Sequence, residues 1–145
     1  MRICLISNLY PPYARGGAER VVETIAKSLH RAGHSVIVIT TVPSWSANMK
    51  ALASGGFLRE TVDGITVYRI ATANLFPYWT IGEHNVVMRF LWHVFDMFAF
   101  ETASTVRRLL RKEKPDVVMT HNLKGIGFLI PRAIRRLGIR HIHTA

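Results

Sequence analysis

Residues 2–41 read RICLISNLYPPYARGGAERVVETIAKSLHRAGHSVIVITT. The opening RICLIS is a short apolar run of the kind that forms a buried parallel strand. NLYPPYARGG follows, and its two prolines and two glycines make it a loop. From Ala18 to Arg31 the apolar residues Val21, Val22, Ile25, Ala26 and Leu29 recur at helical spacing, with Glu19, Arg20, Glu23, Lys27 and Arg31 on the remaining surface. Glu19 near the start and Lys27 and Arg31 near the end complement the helix dipole. Gly33 is the expected stop. SVIVITT at 35–41 is a second buried strand. Strand, loop, helix, glycine and strand in this order predict a right-handed βαβ unit.

The rest of the chain extends that pattern. Residues 42–56 hold Pro43, Ser44, Ser46, Ser54, Gly55 and Gly56 and predict a mobile loop. Residues 57–62 and 65–70 flank Asp63-Gly64, a hairpin signal, with ITVYRI the firmer strand. Residues 71–80 read as another loop. Residues 83–113 predict helix with room for a break, ended by Pro115. DVVMTH at 116–121 is a strand, 126–137 a helix closing at Gly138, and 139–144 a further strand. Alternating strands and helices give a Rossmann-like α/β fold: an open, mostly parallel sheet with helices on both faces.

The chain has 145 residues, the size of one domain, and 49% of them are apolar, which supports a core and argues against disorder. Cys4 is the single cysteine, so an internal disulfide and a cysteine-rich zinc site are excluded. Its apolar neighbours make it a core residue, and the cysteine count fits a reducing cytosol. Asn8, Pro11 and Pro12 end the first apolar run too early for a signal peptide. VVMRFLWHVFDMFAF at 86–100 is interrupted by Arg89, His93 and Asp96 and is shorter than the roughly 20 residues a spanning helix needs. The formal charge is +10, divided as +3 over residues 1–85 and +7 over residues 86–145. A field of that sign suits an anionic partner.

In open α/β sheets ligands bind beyond the carboxyl ends of the strands, and two loops there carry usable chemistry. The first is NLYPPYARGGAE. Gly16 and Gly17 directly precede a helix whose first N–H groups are unpaired and partly positive, and Arg15 adds a full charge. That makes a phosphate site, or equally a long connection with a glycine cap. Neither G-x-G-x-x-G nor G-x-x-x-x-G-K-[ST] is present, so it is not a standard nicotinamide or ATP loop. The second is HNLKG at 121–125, where His121, Asn122 and Lys124 could hydrogen-bond a polyol or a phosphate, or simply cap the next helix. His30/His34 and His141/His143 have metal-like spacings, but Gly33 separates the first pair and the second lacks a third ligand. Trp45, Trp79 and Trp92 could stack on sugar or lipid, with core packing the plainer reading for Trp92. For FLWHVFDMFAF leading into RRLLRKEK, the plain expectation is a buried apolar part with a solvated charged end. A membrane-facing surface is the alternative, and nucleic acid is disfavoured because no recognition motif is present.

NLYPPYARGGAERVVETIAKSLHRAGHSVIVIT resembles the start of family-four glycosyltransferases of GT-B architecture. The marks are the Tyr-Pro-Pro loop, Gly-Gly-x-Glu, and Gly33-His34 before an apolar strand ending in Thr40. DGITVYRI, and KPDVVMTHN with LGIRHIHTA, resemble later steps of the same family. The resemblance spans nearly the whole chain, with 42–56 and 71–105 least characteristic.

The resemblance implies sugar transfer from a nucleotide-sugar donor to a glycan or lipid-linked acceptor, with the nucleotide sugar as substrate, no cofactor and no metal. It implies two Rossmann-like domains facing a cleft, the N-terminal one holding mainly the acceptor. Residues 1–145 would be that N-terminal domain, with the C-terminal donor-binding domain or subunit as its partner. Gly16, Gly17 and Arg15 would then meet the donor phosphates, and Tyr10, His121 and Asn122 the acceptor. The family's usual His-Asp motif would come next after HIHTA, and two domains need roughly 300–400 residues. The chain alone is therefore expected to be inactive, with a non-catalytic partner subunit or a basic membrane-associated module as alternatives. The expected location is cytoplasmic, peripheral at the inner face of a membrane, where an anionic surface is a further candidate partner.

Overall fold

β1 (Arg2–Ser7) and β2 (Ser35–Thr41) pair in parallel, with Cys4 opposite Ile37 and Leu5 opposite Val38, and α1 (Gly17–Arg31) connects them. The computed structural model describes residues 1–13, 16–42, 56–71, 82–83, 85–97, 100–124 and 126–144. Arg15, Trp45, Trp79, the loop at 43–55 and most of that at 71–80 lie outside the described residues, as does the side chain of Trp92. β3 (Phe57–Val62) and β4 (Ile65–Ile70) form the hairpin, and α2 (Val86–Met97) and α3 (Phe100–Glu113) lead to β5 (Val117–His121), α4 (Ile130–Arg136) and β6 (Arg140–Thr144). The sheet order is β3-β4-β2-β1-β5-β6, parallel except for the antiparallel β3 at its edge. This is the Rossmann-like α/β fold expected from the alternation of elements.

Successive side chains of a strand point to opposite faces, and both faces of this sheet are covered. Cys4, Ile6, Ile37, Ile39, Tyr68 and Ile70 face α3 and α4, meeting Val106, Leu109, Leu110, Ile130 and Ile134. Leu5, Val36, Val38, Ile65 and Val67 face α1, meeting Val22 and Ala26, with Ile25 and Leu29 alongside. Residues 22, 25, 26 and 29 make one helical stripe. Val21, read from sequence as part of it, is exposed instead, one step off the buried arc. Burial pushes the Cys4 thiol pKa upward, as suits a core residue.

The hairpin turn uses Asp63 (φ 51°) and Gly64 (φ 79°). Both central residues have positive φ, the geometry whose twist matches the paired strands. A Cβ at Gly64 would stand 3.1 Å from His30 Nε2, so the turn packs closely on the end of α1. Lys27 Nζ ties the two together, 2.9 Å from Asp63 Oδ2 and 2.6 Å from Glu23 Oε1.

Two expectations need correction. The helix read at 126–137 begins only at Ile130. Gly127 has φ 120°, outside helical space, and Ile126 and Gly127 instead donate to the Leu123 carbonyl in a turn at 3.1 and 3.2 Å. The apolar part of 86–100 was expected to be buried, yet Val86, Val87 and Phe90 on α2 are exposed. The basic stretch divides by helix face. Leu109 and Leu110 enter the core, while Arg108 and Lys112 sit over the Phe57 ring at 5.6 and 5.9 Å.

Candidate functional site

The chain leaves β1 toward α1 and β2 on one side, and β5 lies on the other. The order of strands therefore reverses between β1 and β5, with Ser7 beside His121 at their carboxyl ends. In this fold class such a reversal opens a crevice where ligands bind. The two loops singled out from sequence start there, at Asn8 and at Asn122.

The first loop is held from below by Arg69. This arginine interrupts an otherwise apolar strand and is completely buried. Its Nε donates to Glu60 Oε1, its Nη2 to the Pro11 carbonyl and its Nη1 to the Tyr10 carbonyl at 3.3 Å. The guanidinium carbon also lies 4.8 Å from the centre of the Tyr13 ring. One charged fork thus fixes consecutive carbonyls of the Tyr-Pro-Pro turn. A buried guanidinium is tolerable only when paired and hydrogen-bonded in this way. Asn8 holds the start of the loop. Its carbonyl accepts from Thr41 N at 3.2 Å and from the Thr41 hydroxyl, and its Nδ2 donates to the Lys124 carbonyl at 3.4 Å. Asn8 therefore joins the ends of β1 and β2 to the loop after β5.

The glycines have different roles. Gly16 is the N-cap of α1, and its N–H donates to Glu19 Oε2 at 2.8 Å. A Cβ at Gly16 would stand 2.6 Å from that oxygen. A side chain at this position would displace the Glu19 carboxylate from the backbone half of its capping box. Among the described residues Gly17 has nothing within 4 Å of the position a Cβ would take. Its side of the helix start is open, and the first N–H groups of a helix lack intrahelical partners. Of the two, Gly17 offers access and Gly16 is committed to Glu19. Tyr10 is 1% exposed and packs in the α1-side core, so its ring is not presented to the crevice. Burial pushes its phenol up to about 12.

The second loop presents His121 and Asn122. His121 is 5% exposed, and its Nε2 has no hydrogen-bond partner among the described residues. Burial, with His143 adding to it, lowers its pKa, so the neutral ring is favoured. Asn122 adopts φ 42°, a left-handed conformation that asparagine tolerates better than most residues. Thr40 Oγ1 and Asn8 Oδ1 are also buried without partners among the described residues. Thus β1, β2 and β5 each bring one unpartnered buried polar atom to the same end of the sheet.

Beside them lies a recess of about 510 Å³ whose lining includes Asn122, Lys124, Phe128, Arg135, His141 and His143. The Thr120 hydroxyl lies 2.8 Å from His141 Nε2 and 2.8 Å from His143 Nδ1. A hydroxyl can donate to one ring nitrogen and accept from the other. Burial first, then His143 and Arg135, lower the pKa of His141. A His141 ring whose neutral form is favoured, with a cationic rim, suits a ligand carrying hydroxyls and negative charge.

His121 and Asn122 lie together at the carboxyl end of β5, Gly16 and Gly17 open α1 at the far end of the first loop, and Tyr10 is packed into the core. Sequence reading missed Asn8, Thr40, Arg69, His141 and His143 as parts of this region. The available signals were an arginine inside ITVYRI and a polar residue directly after RICLIS. The architecture is that of a Rossmann-like domain. By sequence, residues 15–145 match the model for Glycosyltransferase Family 4, and the chain belongs to that family. It is 30% identical over 146 residues to an uncharacterized 42.6 kDa protein in the cps region of Klebsiella pneumoniae, covering 100% of this chain and 36% of that protein. MurG of Acinetobacter baumannii superposes with TM-score 0.54 at 16% identity, over 98% of this chain and 34% of its own. The UDP-GlcNAc 2-epimerase of Methanocaldococcus jannaschii superposes with TM-score 0.53 at 15% identity, over 99% and 31%. The E. coli trehalose-6-phosphate protein bound with UDP-2-fluoro glucose gives TM-score 0.53 at 11% identity, over 96% and 31%. These likenesses establish the fold, and the chain spans about a third of each of these proteins.

Proposed function

We propose that this chain is the acceptor-side half of a glycosyltransferase that moves a sugar from a nucleotide-sugar donor to a glycan or lipid-linked acceptor. The observation that carries the reading is the β1/β5 crevice. There Asn8 Oδ1 and His121 Nε2 are buried without partners among the described residues, and the loop that starts at Asn8 leads to the first turn of α1 at Gly17. Family membership and structural neighbours named for UDP-sugar ligands support a nucleotide sugar over other anions. In the proposed reaction the leaving nucleoside diphosphate gains negative charge. The N–H groups at the start of α1 and the Arg15 side chain would stabilise it, by a few kcal/mol per well-placed donor. Glu19, whose carboxylate holds Gly16, would steer the phosphates toward the Gly17 side by repulsion. His121 and Asn122 would hydrogen-bond acceptor hydroxyls, with His121 acting as a neutral imidazole. The chain's own residues call for no cofactor or metal in this scheme.

A second Rossmann-like domain, in the same polypeptide or in a partner chain, would supply the donor pocket, and the chain alone would be inactive. The test measures nucleoside diphosphate release from a panel of nucleotide sugars. One arm uses this chain alone and another uses it completed by its second domain. Release only from the completed protein, reduced tenfold or more by His121→Leu, is expected. Turnover by the isolated chain, or none by the completed protein, would overturn the reading.

A second reading, a protein peripheral at the inner face of a membrane, is favoured by the exposed Val86, Val87 and Phe90 on α2. Among the described residues no helix is long and apolar enough to cross a bilayer. Retention on neutral vesicles that disappears on Phe90→Ser would support surface attachment. Equal recovery of both forms in solution would dismiss it.

A further inference from the structure

Away from the crevice, α3 and α4 run side by side over one face of the sheet, and a cavity of about 410 Å³ lies between them. Its lining follows one rule on both helices. Phe100, Ala103, Ser104 and Arg107 of α3, and Leu129, Arg132, Ala133 and Arg136 at α4, each recur at steps of three, four and seven. That spacing is one helical stripe, so two matching stripes form the walls. Ala103, Ser104 and Ala133 are small, which leaves the space open. Three guanidinium groups line it and, among the described residues, no carboxylate does.

Several cations of this protein are held by partners within the fold. Arg2 pairs with Glu113, Lys27 with Glu23 and Asp63, and Arg69 with Glu60. Arg108 and Lys112 lie over aromatic rings. Arg107, Arg132 and Arg136 have no ion pair among the described residues. Gathering three like charges around one cavity raises the energy of the folded chain unless an anion enters. Planar guanidinium forks match phosphate oxygens in particular, and the Ser104 hydroxyl can add a donor.

We propose that the α3–α4 groove is a phosphate-binding site, for a phosphate carried on a lipid headgroup or on a free phosphorylated molecule. Phe100 and Leu129 supply an apolar wall for whatever the phosphate is attached to. The proposal is independent of glycosyl transfer, and its readout needs no turnover.

The test titrates the labelled chain with inorganic phosphate and with pyrophosphate, following the arginine side-chain N–H signals. Those of Arg107, Arg132 and Arg136 are expected to shift together. Replacing all three by glutamine should weaken binding by about tenfold per arginine, the scale of a charge-assisted hydrogen bond. A control with the same loss of charge replaces the exposed Arg31, Arg111 and Arg140 by glutamine and should bind as the parent does. Vesicles of phosphatidylglycerol and of phosphatidylcholine separate the sources. Binding to the former that the groove variant loses and phosphate competes away assigns a lipid headgroup. Phosphate binding without vesicle binding assigns a free molecule. If the three signals do not move, or if both triple variants weaken binding equally, the site is refuted. An oligonucleotide that outcompetes both phosphate and vesicles would likewise refute it.

Discussion

At the amino end of the sheet, Arg2 Nη1 donates to the Glu113 carbonyl at 2.7 Å, and its Nη2 lies 3.1 Å from Glu113 Oε2. The Tyr68 hydroxyl donates to the other oxygen of the same carboxylate, and Asp116 accepts from the Arg2 backbone N–H at 2.7 Å. At the carboxyl end, Asn8, Thr40 and His121 each keep a buried polar atom without a partner among the described residues. The fourth such atom, Thr102 Oγ1, belongs to the first turn of α3. Buried polar groups are nearly always hydrogen-bonded, and an unpartnered one costs roughly 1–3 kcal/mol. At one end of the sheet the buried polar groups are paired, and at the other three have no partner among the described residues. Arg69 belongs to the carboxyl end but is fully engaged, because it supports the loop that shapes the crevice.

The strongest challenge to this contrast is at Arg69. Arg69→Ala leaves Glu60 and two loop carbonyls without their donor and should destabilise the chain by about 3–5 kcal/mol. Denaturant unfolding measures it, and a loss under about 1 kcal/mol would show that the loop is held otherwise. Glu113→Gln should cost about 1.5–3 kcal/mol, the worth of hydrogen bonds to a charged group. By contrast His121→Leu should change stability by less than about 1 kcal/mol, since it removes an unpartnered polar group at similar volume. A cost equal to that of Glu113→Gln would erase the distinction between the two ends.

The glycines sharpen the contrast at smaller scale. Gly16→Ala pushes the Glu19 carboxylate from the cap and should cost about 1 kcal/mol. Gly17→Ala meets open space and should alter stability by less than about 1 kcal/mol in either direction. Equal thermal shifts for the two would contradict the open geometry at Gly17. The smallest effect is in pH. The folded pKa of His121 is lowered, while the unfolded chain titrates near the ordinary value of about 6.5. Its stabilising contribution is therefore complete above that value. It declines as pH falls through it toward the folded pKa, where the unfolded state binds the proton more readily. A side-chain NMR titration should place the His121 midpoint below 6.5, and His143→Ala should move it upward. A midpoint above 6.5 would show a partner that the folded chain does not display.

Much of the fold is legible in residues 2–41 and 57–70 because local chemistry fixes it. β-branched runs make the strands, the stripe of Val22, Ile25, Ala26 and Leu29 makes α1, and Asp63-Gly64 makes the hairpin. The parallel sheet follows from their order, and the family is recognisable in the same residues. The site is less legible. Gly17 and His121 stand out because glycine before a helix and histidine at a strand end are local signals. Arg69 is visible as an arginine inside ITVYRI but its partner is not: it lies far along the chain from Pro11, and only the parallel placement of β4 two strands from β1 brings them together. Tyr10 shows the reverse, a loop residue whose ring the tertiary structure draws into the core. The groove arginines are plain in the sequence as excess charge. That Arg107 lines the groove while Arg108 and Lys112 lie over aromatic rings was decided by helix rotation and the packing of α3 against the sheet. Sequence determined which segments pair and which loops meet. Tertiary structure alone decided which polar groups were satisfied, because hydrogen-bond partners are set by positions that no local pattern encodes.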